Sequence, residues 1–120
     1  MTLALTPDIV EAAYVFLRAT PPFSRWKLPE SDGIAFHVCA SKWMGYYSRE
    51  IATGIHQISL SSKRVGNTNT VMHVMAHEMI HLYQAVVKRE TANTEHNAEF
   101  DRLAKKVCAI HGWDWKEFYR

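Results

Sequence analysis

The sequence predicts an α+β fold in a single domain over residues 1–120, and two kinds of pattern lead to this expectation. Apolar residues recur every three or four positions at about residues 7–19, 68–88 and 95–111, which is typical of amphipathic helices. Three short apolar segments, 34–39, 44–49 and 55–61, lie between the first and second helix and predict strands. Because only short turns separate these strands, we expect an antiparallel-type sheet, a three-stranded meander.

The ends of the first helix follow from local signals. Thr6 and Pro7 predict its start, since proline suits the first turn of a helix, and Pro21 with Pro22 stops it. Residues 21–33 form a loop in this interpretation, and the apolar side chains within it indicate that part of the loop packs against the domain.

Composition narrows the function classes. The chain is 48% hydrophobic, which indicates a folded globule. Its formal net charge is only +2 and its basic residues are scattered, so no nucleic-acid-binding patch is evident. Cys39 and Cys108, the two cysteines, are expected to be buried thiols rather than metal ligands or a disulfide. Neither a secretory signal nor a membrane-length apolar run is visible. We therefore expect no membrane partner and a cytoplasmic location, which for a viral protein is the host cytoplasm.

A short motif in the second predicted helix carries the chemistry. His77 and His81 are four residues apart, so a helix presents both imidazoles on one face to a single metal ion. Glu78 follows His77 and is placed to act as general base on a water molecule that zinc acidifies. This HExxH pattern predicts a zinc-dependent hydrolase.

A catalytic zinc usually has three protein ligands, so a third is required. The best candidate is His96, which we expect to open the third helix beside its apolar stripe, with Asn93 or Thr94 as the cap. Glu95 and Glu99 are alternative third ligands, because some HExxH enzymes use a downstream carboxylate. A further histidine, four residues before His77, is interpreted as a flanking residue; it is His73.

These residues together resemble the SprT-like (Spartan-type) zinc metalloprotease domain. The resemblance includes residues 77–83 (His-Glu-Met-Ile-His-Leu-Tyr), His96 fifteen residues after the second histidine, and Phe100. Upstream, residues 43–45 (Trp-Met-Gly) and 58–61 (Ile-Ser-Leu-Ser) are similar to two strands of the family. In this family, Spartan proteases degrade proteins crosslinked to DNA. The similarity extends over about residues 5–112.

The resemblance implies a minimal zincin-like core and a zinc endopeptidase, with a protein or peptide as substrate and with single-stranded or crosslinked DNA as a further partner. It also implies that the free edge of strand 55–61 pairs with the substrate. Asn97 departs from the glycine that the family often has, and we attribute this to the tolerance of Asn for unusual backbone angles. We expect neither a zinc ribbon nor a regulatory tail, and oligomeric state is left open.

In the predicted mechanism, His77, His81 and His96 bind zinc, and Glu78 takes a proton from water and passes it to the leaving amine. A further donor should stabilise the oxyanion. Three candidates for that donor, for each of which packing or solvation is the simpler role, are Tyr46, Tyr47 and His73.

Two other functions compete with peptide hydrolysis. One is a nucleic-acid-associated binding module with a mainly structural zinc, in which aromatic residues stack on bases and basic residues contact phosphates. Its candidate residues are Trp26, Trp43, Tyr46, Tyr47, Lys27, Lys42 and Arg49. The other is a zinc hydrolase acting on RNA or another non-peptide substrate. It fits poorly, because in one RNA-processing family with three histidines the third follows within a few residues, whereas here it follows after fifteen.

Overall fold

The computed structural model describes residues 4–87 and 96–118, and the α+β class is confirmed in these ranges. Every predicted helix and strand is present, with ends within three residues of the expected ones. The elements are α1 (Pro7–Arg18), β1 (Ile34–Cys39), β2 (Gly45–Arg49), β3 (His56–Ser61), α2 (Thr68–Val86), α3 (Ala98–His111) and the one-turn helix α4 (Trp115–Phe118).

The sheet is mixed, so the predicted antiparallel meander is wrong. Its strand order is β1-β3-β2, with β3 antiparallel to β2 and parallel to β1. The short connection at residues 50–55 forms the expected hairpin, but β1 pairs with the far side of β3 instead of with β2. Since β3 contributes Ile58 and Leu60, both fully buried, to the core, it occupies the centre of the sheet.

One face of this sheet is covered by helices. Helix α1 packs against β1, and α2 packs against β2 and β3, so that the core lies between the sheet and the two helices. The start of α2 is fixed by Asn67, whose side-chain oxygen accepts a hydrogen bond from the backbone N–H of Thr70 at 2.9 Å. Because β2 lies at one edge of the sheet and packs against α2, it is the edge strand beside the HExxH helix.

The segment between α1 and β1 packs against the domain as expected. It contains two short 3-10 turns, and Phe23 and Leu28 within it are buried. The hydroxyl of Tyr14 in α1 donates a hydrogen bond of 2.5 Å to the backbone carbonyl of Pro29, which ties the segment to the helix.

Both cysteines are free thiols, and only Cys108 is fully buried, whereas Cys39 on β1 is half-buried. Burial raises the pKa of the Cys108 thiol to about 11, and nearby Asp114 adds to this effect. Among the helices of residues 4–87 and 96–118, none is both long and apolar enough to cross a bilayer.

Candidate metal centre

Helix α2 presents two of the predicted ligands. His77 and His81 lie on successive turns of its half-buried side, with ring centroids 5.2 Å apart. Many of the helix's apolar side chains, including Met75, Met79 and Leu82, are fully buried, so the helix is anchored in the core and its histidines are held on a rigid element.

His96 lies close to these two histidines although it precedes α3 and is not part of a helix. The expectation that it opens α3, with Asn93 or Thr94 as the cap, is wrong: Asn97 is the N-cap, and its side-chain oxygen accepts from the backbone N–H of Phe100 at 2.8 Å. Residues 93 and 94 lie outside the described residues. His96 precedes the cap, and its ring stacks on the buried Phe100 ring at 4.2 Å and an interplanar angle of 8°.

The three histidines converge into a group that could hold a metal ion. One ring nitrogen from each of His77, His81 and His96 lies within 4.8 Å of the other two. The Nε2 atoms of His77 and His96 are 3.1 Å apart. Two nitrogens bound to a tetrahedral zinc at about 2.0–2.1 Å are about 3.3 Å from each other, so this donor set fits such an ion.

Burial keeps two of these imidazoles neutral. It lowers the pKa of His77 to about 3, and the rings of His81 and His96 add to this effect, whereas a backbone hydrogen bond with Phe118 opposes it. Burial likewise lowers the pKa of His81 to about 4, with His96 contributing. At neutral pH both rings therefore keep a lone pair for a metal ion.

The hydrogen bond with Phe118 also orients a ring. Because it favours the protonated form of His77, the backbone group involved must be the carbonyl, which accepts from a ring N–H. Histidines that bind metals commonly donate their second N–H in this way, which fixes the tautomer.

Glu78 lies on α2 against strand β2 and is 5% exposed. A Cβ atom on Gly45 would come within 2.9 Å of the Glu78 Oε2 atom, so only glycine lets the strand approach this carboxylate. Burial raises the pKa of Glu78 to about 8. A cation bound to the adjacent histidines would favour the ionised form, which is the form a general base needs.

The structure describes one of the two alternative third ligands. Glu99 is not part of the metal-binding group found in residues 4–87 and 96–118, and its carboxylate oxygens lie 3.4 Å from Gln84 Nε2 and 3.8 Å from an Arg102 nitrogen. Glu95 lies outside the described residues. His73 packs on the ring of Trp113, with ring centroids 4.5 Å apart, in agreement with its interpretation as a flanking residue.

The candidate oxyanion donors have other surroundings. The hydroxyl of Tyr47 is hydrogen-bonded to the His56 ring at 2.6 Å, and Tyr46 points away from α2 on the opposite face of β2, with 60% of its surface exposed. His73 packs on Trp113 as described. The contacts of Tyr47 and His73 described here are with residues other than the three histidines.

The aromatic residues considered for base stacking divide into two groups. Trp26 packs on Tyr83 with ring centroids 4.4 Å apart, and Tyr47 bonds to His56 as described. Trp43, by contrast, is 66% exposed, and the Lys42 ammonium group lies 5.5 Å from its ring centroid. Trp43 and Tyr46 are thus the two whose rings are open to a ligand.

The sequence reasoning missed two features that shape the centre. Gly45 was noticed only as part of a resemblance, although its contact with Glu78 is the physical reason for a glycine. Gln84 carries a signal in the sequence as well, because a glutamine inside an apolar helix face is a buried amide that needs a hydrogen-bond partner. The explanation offered for Asn97 is wrong, because its backbone is extended (φ −80°, ψ 179°) and its side chain caps α3.

Comparison with known proteins agrees with this geometry. A search of curated proteins found no match. The SprT-like family, by contrast, matches residues 23–118, a span that contains the sheet, the HExxH helix and all three histidines. The match extends over most of the chain, and the chain belongs to the SprT-like family.

Proposed function

We propose that the protein is a zinc-dependent endopeptidase of the SprT-like type. The observation that supports this most directly is the convergence of His77, His81 and His96 beside the buried carboxylate of Glu78. A structural zinc site uses four protein ligands, whereas the group found in the described residues contains three. A fourth position left for water is what a hydrolytic site requires.

In the proposed reaction, His77, His81 and His96 hold zinc through neutral imidazole nitrogens. When bound, zinc acts as a Lewis acid that makes water a better nucleophile at neutral pH and polarises the scissile carbonyl. Glu78 accepts the proton of the attacking water and then donates it to the leaving amine. The close packing of Glu78 against Gly45 restricts its carboxylate to a small range of positions, which suits a positioned base.

The position of β2 changes how an extended substrate would bind. The earlier expectation that β3 offers a free edge is wrong, since β3 is paired on both sides. The edge strand that contacts α2 at Glu78 is β2. We propose that a substrate strand adds to the outer edge of β2, because among the strands of residues 4–87 and 96–118 it is the edge strand that packs against the proposed general base.

We further propose that substrates are proteins bound or crosslinked to DNA, with single-stranded DNA as a partner in the cytoplasm. The exposed rings of Trp43 and Tyr46 are available for base stacking, and Lys42 supplies a positive charge next to one of them. Trp43 lies two residues before Gly45, so DNA held there would be near the strand that contacts Glu78. The same surface supports the alternative of a nucleic-acid-binding module with a structural zinc.

The deciding experiment is cleavage of a protein crosslinked to DNA by zinc-loaded wild type and Glu78→Gln, with and without single-stranded DNA. We expect the variant to retain zinc and to lose about 10²–10⁴-fold in turnover, the usual contribution of a general base. Substantial activity in the variant would exclude that role. An unmodified peptide and an RNA serve as parallel substrates. Salt-sensitive DNA binding by a zinc-loaded wild type that cleaves none of them would favour the binding module.

A further inference from the structure

The third histidine of the cluster has the weakest local support. His77 and His81 are fixed by the backbone of α2, but His96 is exposed and precedes the first residue of α3. Its ring stacks on Phe100, and its backbone is joined to Asn97, so the contacts of Asn97 contribute to its position.

Asn97 is held from two directions by one side-chain atom. Its Oδ1 accepts from the backbone N–H of Phe100 at 2.8 Å, which caps α3. The same oxygen accepts from the amide Nε2 of Gln84 at 2.9 Å, which links the cap to α2. Gln84 Nε2 also approaches Glu99 Oε1, at 3.4 Å. The start of α3 is thus bonded to a specific residue on the helix that carries the other two histidines.

Gln84 is an unusual residue at its position. It is 2% exposed and follows His81 by three residues, so it lies on the neighbouring turn of the same helix side. An apolar residue of equal size would avoid the desolvation of an amide, because a buried polar group lowers stability unless it is hydrogen-bonded. The chain places this amide where it can reach the residue next to His96.

We infer that Gln84 is a positioning residue for the metal centre, which sets the location of His96 through its hydrogen bond to Asn97. This inference rests on the proposed metal site. The Gln84 amide nitrogen bonds to Asn97 and approaches Glu99, so its effect on the cluster is indirect. It acts by fixing the residue that follows His96, so that the imidazole is held near its binding position before the ion arrives. Preorganisation of this kind raises metal affinity because less ordering is required on binding.

The test compares metal affinity with fold stability in Gln84→Met, which keeps the side-chain length but removes the amide. The matched control is Gln57→Met, since Gln57 lies on the outer face of the sheet, away from the histidines. Zn²⁺ affinity by competition titration, the visible absorption spectrum of the Co²⁺-loaded protein and the melting temperature of the metal-free protein are measured for each.

We expect Gln84→Met to weaken Zn²⁺ binding by about 10–100-fold, the usual effect of losing an interaction that orients a ligand. The Co²⁺ spectrum should change as well, while the melting temperature of the metal-free protein stays the same or rises. A residue with only a structural role would lower the melting temperature and leave the spectrum of the folded fraction unchanged. Gln57→Met should match wild type in all three measurements.

A second variant isolates the hydrogen bond. Asn97→Ser keeps a hydroxyl that can cap α3 but is too short to reach Gln84 as well. We expect it to weaken Zn²⁺ binding as Gln84→Met does, and the double variant to be no weaker than either single variant. Additive losses would overturn the inference, as would wild-type affinity in Gln84→Met. A wild type that binds neither metal would overturn the proposed function together with it.

Discussion

Replacing Gly45 with alanine tests whether the close approach of β2 to α2 holds the proposed general base in place. An added Cβ would lie 2.6 Å from Val74 Cγ1, 2.9 Å from Glu78 Oε2 and 3.3 Å from Glu78 Cγ. Carbon atoms in contact are ordinarily about 3.5–4.0 Å apart. The strand, the helix or the carboxylate must therefore move by about 1 Å.

Two consequences of this movement are separable. Overpacking of a core costs about 1–3 kcal/mol, so the free energy of unfolding of Gly45→Ala should fall by an amount in this range. A catalytic group misplaced by about 1 Å can cost about 10²-fold in rate, so kcat should fall by about this factor even at temperatures where the variant is folded. Zinc affinity should change little, because the atoms nearest the added Cβ belong to Val74 and Glu78 and not to a histidine.

The assay measures thermal unfolding, zinc content and peptide cleavage for three variants. Gly66→Ala is the matched control, since a Cβ at Gly66 meets nothing within 4 Å. Val74→Ala added to Gly45→Ala removes the tightest contact, so it should recover part of the stability, but it should not recover kcat because the contact with Glu78 persists. If Gly45→Ala matched Gly66→Ala in both stability and kcat, the proposed link between the glycine and the base would be refuted.

Two further predictions concern the metal. His96→Ala should lose most of its zinc affinity in a competition titration. Glu99→Ala should keep its affinity, because Glu99 contacts Gln84 and Arg102 instead of joining the cluster. Near-stoichiometric zinc in His96→Ala, measured by elemental analysis, would mean that the third ligand is a different residue. Removal of zinc by a chelator should lower the melting temperature. An ion that binds only the folded state adds about 2.7 kcal/mol to the free energy of unfolding when its free concentration is 100 times its dissociation constant. An unchanged melting curve would contradict zinc binding to the folded protein.

The part of the centre that the sequence predicts well is the part governed by local geometry. Two histidines four residues apart on a helix share a face whatever the rest of the chain does. The apolar spacing around His77 and His81 is sufficient to place that helix. The expectation that His96 joins them rested on its place beside the apolar stripe of the third helix, and the structure brings its ring within reach of the other two.

The sheet order could not be predicted because it depends on contacts between distant segments. The hairpin between β2 and β3 is local, but the choice of partner for β1 is not. Both an antiparallel meander and the observed order satisfy the same short connections. The difference is decided by burial, since β3 contributes two fully buried residues, Ile58 and Leu60. In this order β2, instead of β3, is the edge strand beside the proposed base. The surface where a substrate strand can bind therefore moves to β2.

The third histidine shows why spacing alone does not define a site of this kind. A ligand on a helix is held by the helix, but a ligand that precedes a helix needs an anchor from elsewhere in the fold. Here the anchor is Asn97, bonded to Gln84 across the helix interface. A chain with glycine in place of Asn97 has no side-chain oxygen to offer, and a buried glutamine at position 84 would lose the shorter of its two hydrogen bonds. Residues 84 and 97 are therefore coupled through this hydrogen bond, and a change at either one removes the link between α2 and the residue that follows His96.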